Sequence, residues 1–185
     1  MVSNIDRTRF FVEKLLEVFT VFLLLSLTTI VLAAVAFRAF GSSLIWYDEV
    51  ASIGLAWLTF YGACLAALKR AHMGFPGIVA SAPSALRSLL FIVSELIVIG
   101  FFLVIAYYGY LVLDILAWDR LVSIPSVSLT VTQSAIPIGA ALFIVCELLS
   151  LPGAWKKMRA GVDSEHEAIE EAIRQAEEDL KEHRA

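Results

Sequence analysis

The chain has 185 residues, of which 59% are hydrophobic and 17% charged, and its mean hydropathy is +0.82. That apolar share lies well above the soluble norm, which excludes an ordinary water-soluble domain and points to an integral membrane protein. The net charge of −4 is unevenly placed: from Asp163 to Ala185 nine acids face three bases, so that segment carries −6 and the remainder +2, and no nucleic-acid partner is expected.

Met1 to Lys14 is polar and holds Arg7, Arg9 and Lys14, and Leu15 to Phe37 is the first long apolar run. Ala34-Val35-Ala36 imitates a signal-peptide cleavage site, but the run is longer than a signal h-region of roughly 7–15 residues. A first transmembrane helix is the better reading. Arg38 to Ile45 is a short link in which Gly41-Ser42-Ser43 supplies a turn and a candidate N-cap for the next helix.

Trp46 to Leu68 is the second span, about 34 Å of helix against a bilayer core of about 30 Å. An aromatic pair and two acids (Trp46-Tyr47-Asp48-Glu49) open it, and Lys69-Arg70-Ala71-His72 follows it. At helical spacing Glu49, Ser52, Ala56, Thr59, Ala63 and Ala66 form a small, weakly polar stripe, while Trp46, Val50, Ile53, Trp57, Phe60, Cys64 and Leu68 form a bulky one. Small residues let helix backbones approach closely in lipid. The small stripe is therefore expected to face other protein helices and the bulky one lipid or a partner subunit.

Pro76 and Pro83 break the link from Gly74 to Ser88. Leu89 to Leu116 is the third span, about 42 Å if fully helical, which implies tilt or a protruding end. After Trp118-Asp119-Arg120 and a Ser- and Thr-rich link comes the fourth span, with Pro137 in its first turns. The expected fold is therefore all-α with four transmembrane helices, over 15–37, 46–68, 89–116 and 134–152, in a membrane domain 1–155. A cytoplasmic acidic tail, 156–185, follows. Within it Ile169, Ile173, Ala176 and Leu180 recur at amphipathic helical spacing behind a cap at Asp163-Ser164. A solvated helix is the plainer reading of that tail and a docking helix the sharper one.

Lys and Arg alternate along the links. Three stand before the first span, then Arg38 alone, then Lys69, Arg70 and Arg87, then Arg120 alone, then Lys156, Lys157 and Arg159. The positive-inside rule then puts both termini and the middle link in the cytoplasm. Trp46 and Trp118 fall at the outer interface and Trp155 at the inner one.

Ionisable groups within spans are functional candidates by default. Glu17 and Glu147 lie near the cytoplasmic boundary, level with Lys14, Lys69, Arg70 and Lys156, where snorkelling or pairing accounts for them. Glu95, about 9 Å into the third helix, is the most desolvated, and a structural hydrogen bond is favoured over ion binding there. Asp48 and Glu49 suit the positive end of the second helix, with Arg38 as the expected counter-charge. Cys64 and Cys146 read as small buried hydrophobes rather than a disulfide or metal pair. With no H-E-x-x-H, P-loop, G-x-S-x-G or bis-histidine arrangement, no enzyme, metal or cofactor is expected. The absence of an internal repeat and of a polar mid-membrane break argues for an accessory subunit over an independent transporter. The alternative is a self-sufficient small channel or proton-coupled carrier using Glu95 and Glu147.

The order of several short motifs resembles the small membrane subunit of tripartite ATP-independent periplasmic (TRAP) transporters, the DctQ-like family. These are Arg38 and Phe40, Trp46, Asp48-Glu49, the run Trp57-Leu58-Thr59-Phe60-Tyr61-Gly62-Ala63, the exit Lys69-Arg70-Ala71-His72, Ala82-Pro83 with Arg87, and Ala135-Ile136-Pro137-Ile138-Gly139. Ser52, Ala71 and Met73-Gly74-Phe75 depart from the family pattern. The resemblance implies a bacterial or archaeal inner-membrane protein bound to a large elevator-type permease subunit. It further implies sodium-coupled uptake of an organic acid (a C4-dicarboxylate, sugar acid or sialic acid) delivered by a periplasmic substrate-binding protein. Arg38, Trp46, Glu49, Ala56, Trp57, Ala63, Arg70 and His72 are the expected helix-packing or subunit-contact residues, with membrane lipids around them.

Overall fold

The computed structural model describes residues 4–71 and 83–160, together with Ile173, Arg174 and Ala176. The elements are all helical: α1 (Asn4–Ala39), α2 (Tyr47–Lys69), α3 (Ser84–Ile115) with a 3-10 turn (Leu116–Trp118), a short α4 (Leu129–Gln133) and α5 (Ala135–Ala160). Among the described residues four stretches are long and apolar enough to cross a membrane: Arg7–Ala39, Tyr47–Lys69, Ser84–Trp118 and Leu129–Arg159. The chain is thus an all-α protein with four candidate membrane-spanning helices, as expected. The cap at Asp163-Ser164 and most of the amphipathic pattern after it lie outside the described residues, as does His72.

The helix ends follow local chemistry. α1 stops at Gly41, whose φ of +78° only a residue lacking Cβ adopts without penalty. The amide of Ser42 bonds back to the Phe37 carbonyl at 3.0 Å and that of Gly41 to Arg38 at 3.1 Å, a Schellman closure. α2 opens differently from the serine cap expected. Trp46 holds the N-cap position with no side-chain hydrogen bond, and the first turn relies on Asp48 and Glu49 beside its free amides. The link before α4 is pinned by Leu129 N to Asp119 O at 3.0 Å and Leu121 N to Val127 O at 3.1 Å. The Ser128 hydroxyl then accepts from Thr130 N to cap α4. Pro137 is the third residue of α5, within the first turn, where amides have no partner inside the helix itself.

The described residues fall into two compact units. One is drawn from Met1–Ala71 and Val98–Ser150, the other from His72–Ile97 and Leu151–Ala185. The core of the first is Leu16, Cys64, Ala67, Leu68, Phe143 and Cys146, with Phe102 and Phe143 stacked at 3.7 Å. In the second, the ring of Phe91 lies 5.6 Å from that of Trp155, and the Arg87 Nη1 donates to the Met158 carbonyl at 3.3 Å.

This core overturns the expected role of the bulky face of α2. Cys64 and Leu68 of the bulky stripe are fully enclosed, and Phe60 meets α5. Ser52 and Thr59 of the small stripe stay exposed, their hydroxyls bonded to the Glu49 and Leu55 carbonyls of their own helix. The small partner needed for close approach lies on the other helix. At Gly139 of α5 an added Cβ would come within 2.6 Å of the Phe60 Cβ. The bulky knob is on α2 and the hole on α5, while Ala63 of the small stripe also packs against the core, so both faces of α2 meet protein.

Candidate functional site: polar locks on an apolar scaffold

The polar chemistry of the first unit sits at the two ends of α2. At its C-terminus Arg70 takes a left-handed conformation, φ 54°, with its own amide bonded to Ala67 O at 3.2 Å and that of Ala71 to Ala66 O at 2.9 Å. Glycine is the usual occupant of such a closure, and a side chain there costs on the order of 1 kcal/mol. The return is position. The turn aims the guanidinium at α5, where Nη1 meets Glu147 Oε1 at 2.9 Å and Nε donates to the Ser150 hydroxyl at 2.8 Å. Ser150 in turn donates to the Glu147 carbonyl at 2.9 Å, and Glu147 and Ser150 are both buried.

A second set joins α1 to the same end of α2. Lys69 reaches Glu17 at 2.6 Å and Glu13 at 3.4 Å, and Lys14 reaches Glu17 at 2.8 Å. These pairs are partly exposed, so each contributes little by itself. Arg9 adds a charge-assisted bond, its Nη2 donating to the Leu68 carbonyl at 3.0 Å. Leu68 O is among the last carbonyls of α2 that have no helical donor, so a cation there both fills a hydrogen bond and suits the macrodipole.

At the other end of α2 Glu49 behaves differently from expectation. Its carboxylate accepts from Val122 N at 3.2 Å, from Ser123 N at 2.9 Å and from the Ser123 hydroxyl. The expected partner, Arg38, stands exposed, and no ion pair joins it to Glu49 among the described residues. Two backbone amides pointing into one carboxylate form a fixed cradle that a flexible arginine on a short link does not match. Glu49 therefore fastens the α3–α4 loop to the start of α2.

The other expected contact residues are spread along α2. Trp46 is 39% exposed, while Ala56, Trp57 and Ala63 are half-buried, Trp57 stacking on Tyr61 at 5.6 Å. Glu95 is buried on α3, 8% exposed. Cys64 and Cys146 are both free thiols in the core, and Cys64 donates to the Gly139 carbonyl at 3.4 Å. In the sequence Arg9 counted only as a base before the first span and Gly139 only as part of a motif, and Ser150 and Ser123 were not singled out. For Gly139 a signal existed, a small residue at the start of a span; for the other three, only the fold supplies the partner. Among the described residues no group of three or more His, Cys, Asp or Glu side chains is placed to hold a metal ion.

A cavity of about 260 Å³ is lined by Ile105, Tyr108, Gly109, Val112, Leu113, Gln133 and Ile136. Its walls are almost wholly apolar and bring no nucleophile, acid or base together. The arrangement holds helices in place.

No curated protein matches the chain. The profile of the family described as tripartite ATP-independent periplasmic transporters, DctQ component, matches residues 27–157, from the middle of α1 to the last turns of α5. Components of this kind are non-catalytic, in keeping with the expectation that the chain is not an enzyme. With most of its length inside that match, including the end of the first span and nearly all of the other three, the chain belongs to the DctQ component family of tripartite ATP-independent periplasmic transporters.

Proposed function

We propose that the chain is the accessory small subunit of such a transporter and braces the static scaffold of a large elevator-type permease subunit. In this reading the complex takes up an organic acid of the C4-dicarboxylate, sugar-acid or sialic-acid class. A periplasmic binding protein delivers the acid, and a sodium gradient drives uptake. The observation that carries the reading is the family match over residues 27–157, from the later part of the first span to the end of the fourth. Two features of the fold support a bracing role. The helices are tied to one another by Arg70–Glu147 and Glu49–Ser123, while large apolar side chains of α1 and α3, among them Phe22, Leu32, Leu96 and Phe101, remain exposed for lipid or a partner.

The same proposal places the protein in a bacterial or archaeal cytoplasmic membrane with both termini inside. It assigns 1–155 to the membrane domain and 156–185 to a cytoplasmic tail. The distribution of Lys and Arg among the links supports that orientation. Arg38, Trp46, Ala56, Trp57, Ala63 and His72 are proposed as packing or subunit contacts. The independent channel or carrier gains no support, because Glu147 is engaged by Arg70 rather than held for a passing ion.

The test is recovery of the tagged chain from its native host in mild detergent, with mass spectrometry of what accompanies it. A stoichiometric multi-helix permease is the expected result. Repeated recovery of the chain alone, together with flux when it is reconstituted by itself, overturns the proposal.

A further inference from the structure

We propose that the exposed face of α3 within the first unit docks a transmembrane helix of the large permease subunit, one that carries a lysine or arginine opposite Asp114. The inference rests on reading the chain as an accessory subunit and adds which face is used and what the partner brings to it. Gly100, Leu103, Tyr107, Tyr110 and Asp114 follow one another at steps of three and four, so they form a single seam along the helix. The fold leaves that seam uncovered. Leu103, Tyr107 and Tyr110 are 54%, 61% and 69% exposed, Asp114 is exposed, and a Cβ at Gly100 would meet nothing within 4 Å. Large side chains beside a gap offer a neighbouring helix both knobs and a hole.

Lipid suits a purely apolar seam, and this one is not purely apolar. With Trp118 taken as the membrane interface, Tyr107 stands about 16 Å further in along the helix, near the middle of a core about 30 Å thick. Among the described residues neither the two tyrosine hydroxyls nor the Asp114 carboxylate makes a hydrogen bond or an ion pair. Asp114 also stands in the last turn of α3, the negative end of the helix, and that turn holds no base. Arg120, the nearest base along the chain, lies exposed beyond Trp118 and does not pair with it. An acid at the disfavoured end of its helix, inside a candidate span and facing outward, calls for a cation supplied by another chain. Its charge makes the partner basic. Its depth, about one turn below Trp118, puts that base on a membrane-spanning helix rather than on a soluble protein.

The test replaces Tyr107 by the photocrosslinker p-benzoylphenylalanine in the tagged full chain, irradiates it in the native membrane, and identifies the adduct by mass spectrometry. A crosslink to a permease helix that carries a lysine or arginine is expected. Asp114→Lys should lower the permease recovered in mild detergent roughly tenfold or more, while Asp114→Glu keeps it within about twofold. Exchanging the base on the crosslinked helix for glutamate should restore recovery with Asp114→Lys. The melting temperature of the isolated chain should not move in these variants, since the Asp114 carboxylate bonds to nothing within the fold. Two results overturn this proposal and leave the accessory reading intact: permease recovered as usual while Tyr107 crosslinks only lipid or a second copy, or full recovery with Asp114→Lys. A wild-type preparation without any permease overturns both.

Discussion

Replacing Arg70 by glycine sets two effects of opposite sign against each other. The backbone gains, because φ 54° is a conformation glycine adopts freely, and relief of about 1 kcal/mol is expected. The side chain loses more. Glu147 is 5% exposed and meets the guanidinium at 2.9 Å, and breaking such a buried pair by removing one partner costs about 3–5 kcal/mol. The net is a destabilisation of about 2–4 kcal/mol, or about 4–16 °C in apparent melting temperature for a chain of this size. Thermal unfolding of the purified protein followed by tryptophan fluorescence measures it. Adding Glu147→Leu to Arg70→Gly removes the carboxylate as well and should recover most of the loss, whereas Glu147→Leu alone takes the ion pair from the arginine and leaves its bond to Ser150. A glycine variant as stable as the wild type would refute this reasoning, since it would mean that the backbone term outweighs the ion pair.

Gly139→Ala puts a methyl group 2.6 Å from the Phe60 Cβ, which no rotamer change can move, and should destabilise by about 1–3 kcal/mol in the same assay. Gly54→Ala, whose Cβ would meet only the tip of Leu27 at 3.5 Å, serves as its tolerated counterpart. Glu49→Ala removes the acceptor of the Val122 and Ser123 amides, so hydrogen exchange at those two positions should rise sharply while exchange within α5 stays unchanged. Ala56→Leu enlarges a half-buried position on α2; it should lower the amount of permease recovered with the chain more than it lowers the melting temperature. Equal recovery with the variant would argue against a subunit contact there.

What could be read in advance follows from the range of the interactions involved. The four spans were legible because each is a continuous apolar run, a property of neighbours in the chain. Position along the chain also placed Glu147 level with Arg70, and the pairing is seen. The face of α2 was misread because residue size says how closely a helix can be approached, not which side the next helix takes, and the small residue at that crossing is Gly139, 79 positions beyond Phe60. Glu49 was matched to Arg38 by proximity in sequence, whereas its actual partners are backbone amides, which every residue carries and no residue type announces. The bond made by Arg9 was not legible for a related reason: its acceptor is a carbonyl left over at the end of another helix.

The position of α5 in the chain has a consequence for how the protein is made. Helices α1 and α2 are neighbours in sequence and share the Lys69–Glu17 pair and the Arg9–Leu68 bond, so they can associate as soon as both have left the ribosome. The opposite wall of the core, with Phe143, Cys146, Glu147 and Ser150, arrives only with the last span. Until then Arg70 is a cation at the rim of an unfinished bundle, and the enclosed face of α2 is open to lipid. A chain interrupted before α5 therefore exposes a guanidinium and a cysteine that the finished protein hides. Such a species is a natural target for membrane quality control, so release of the mature subunit should depend on the fourth span more than on any other.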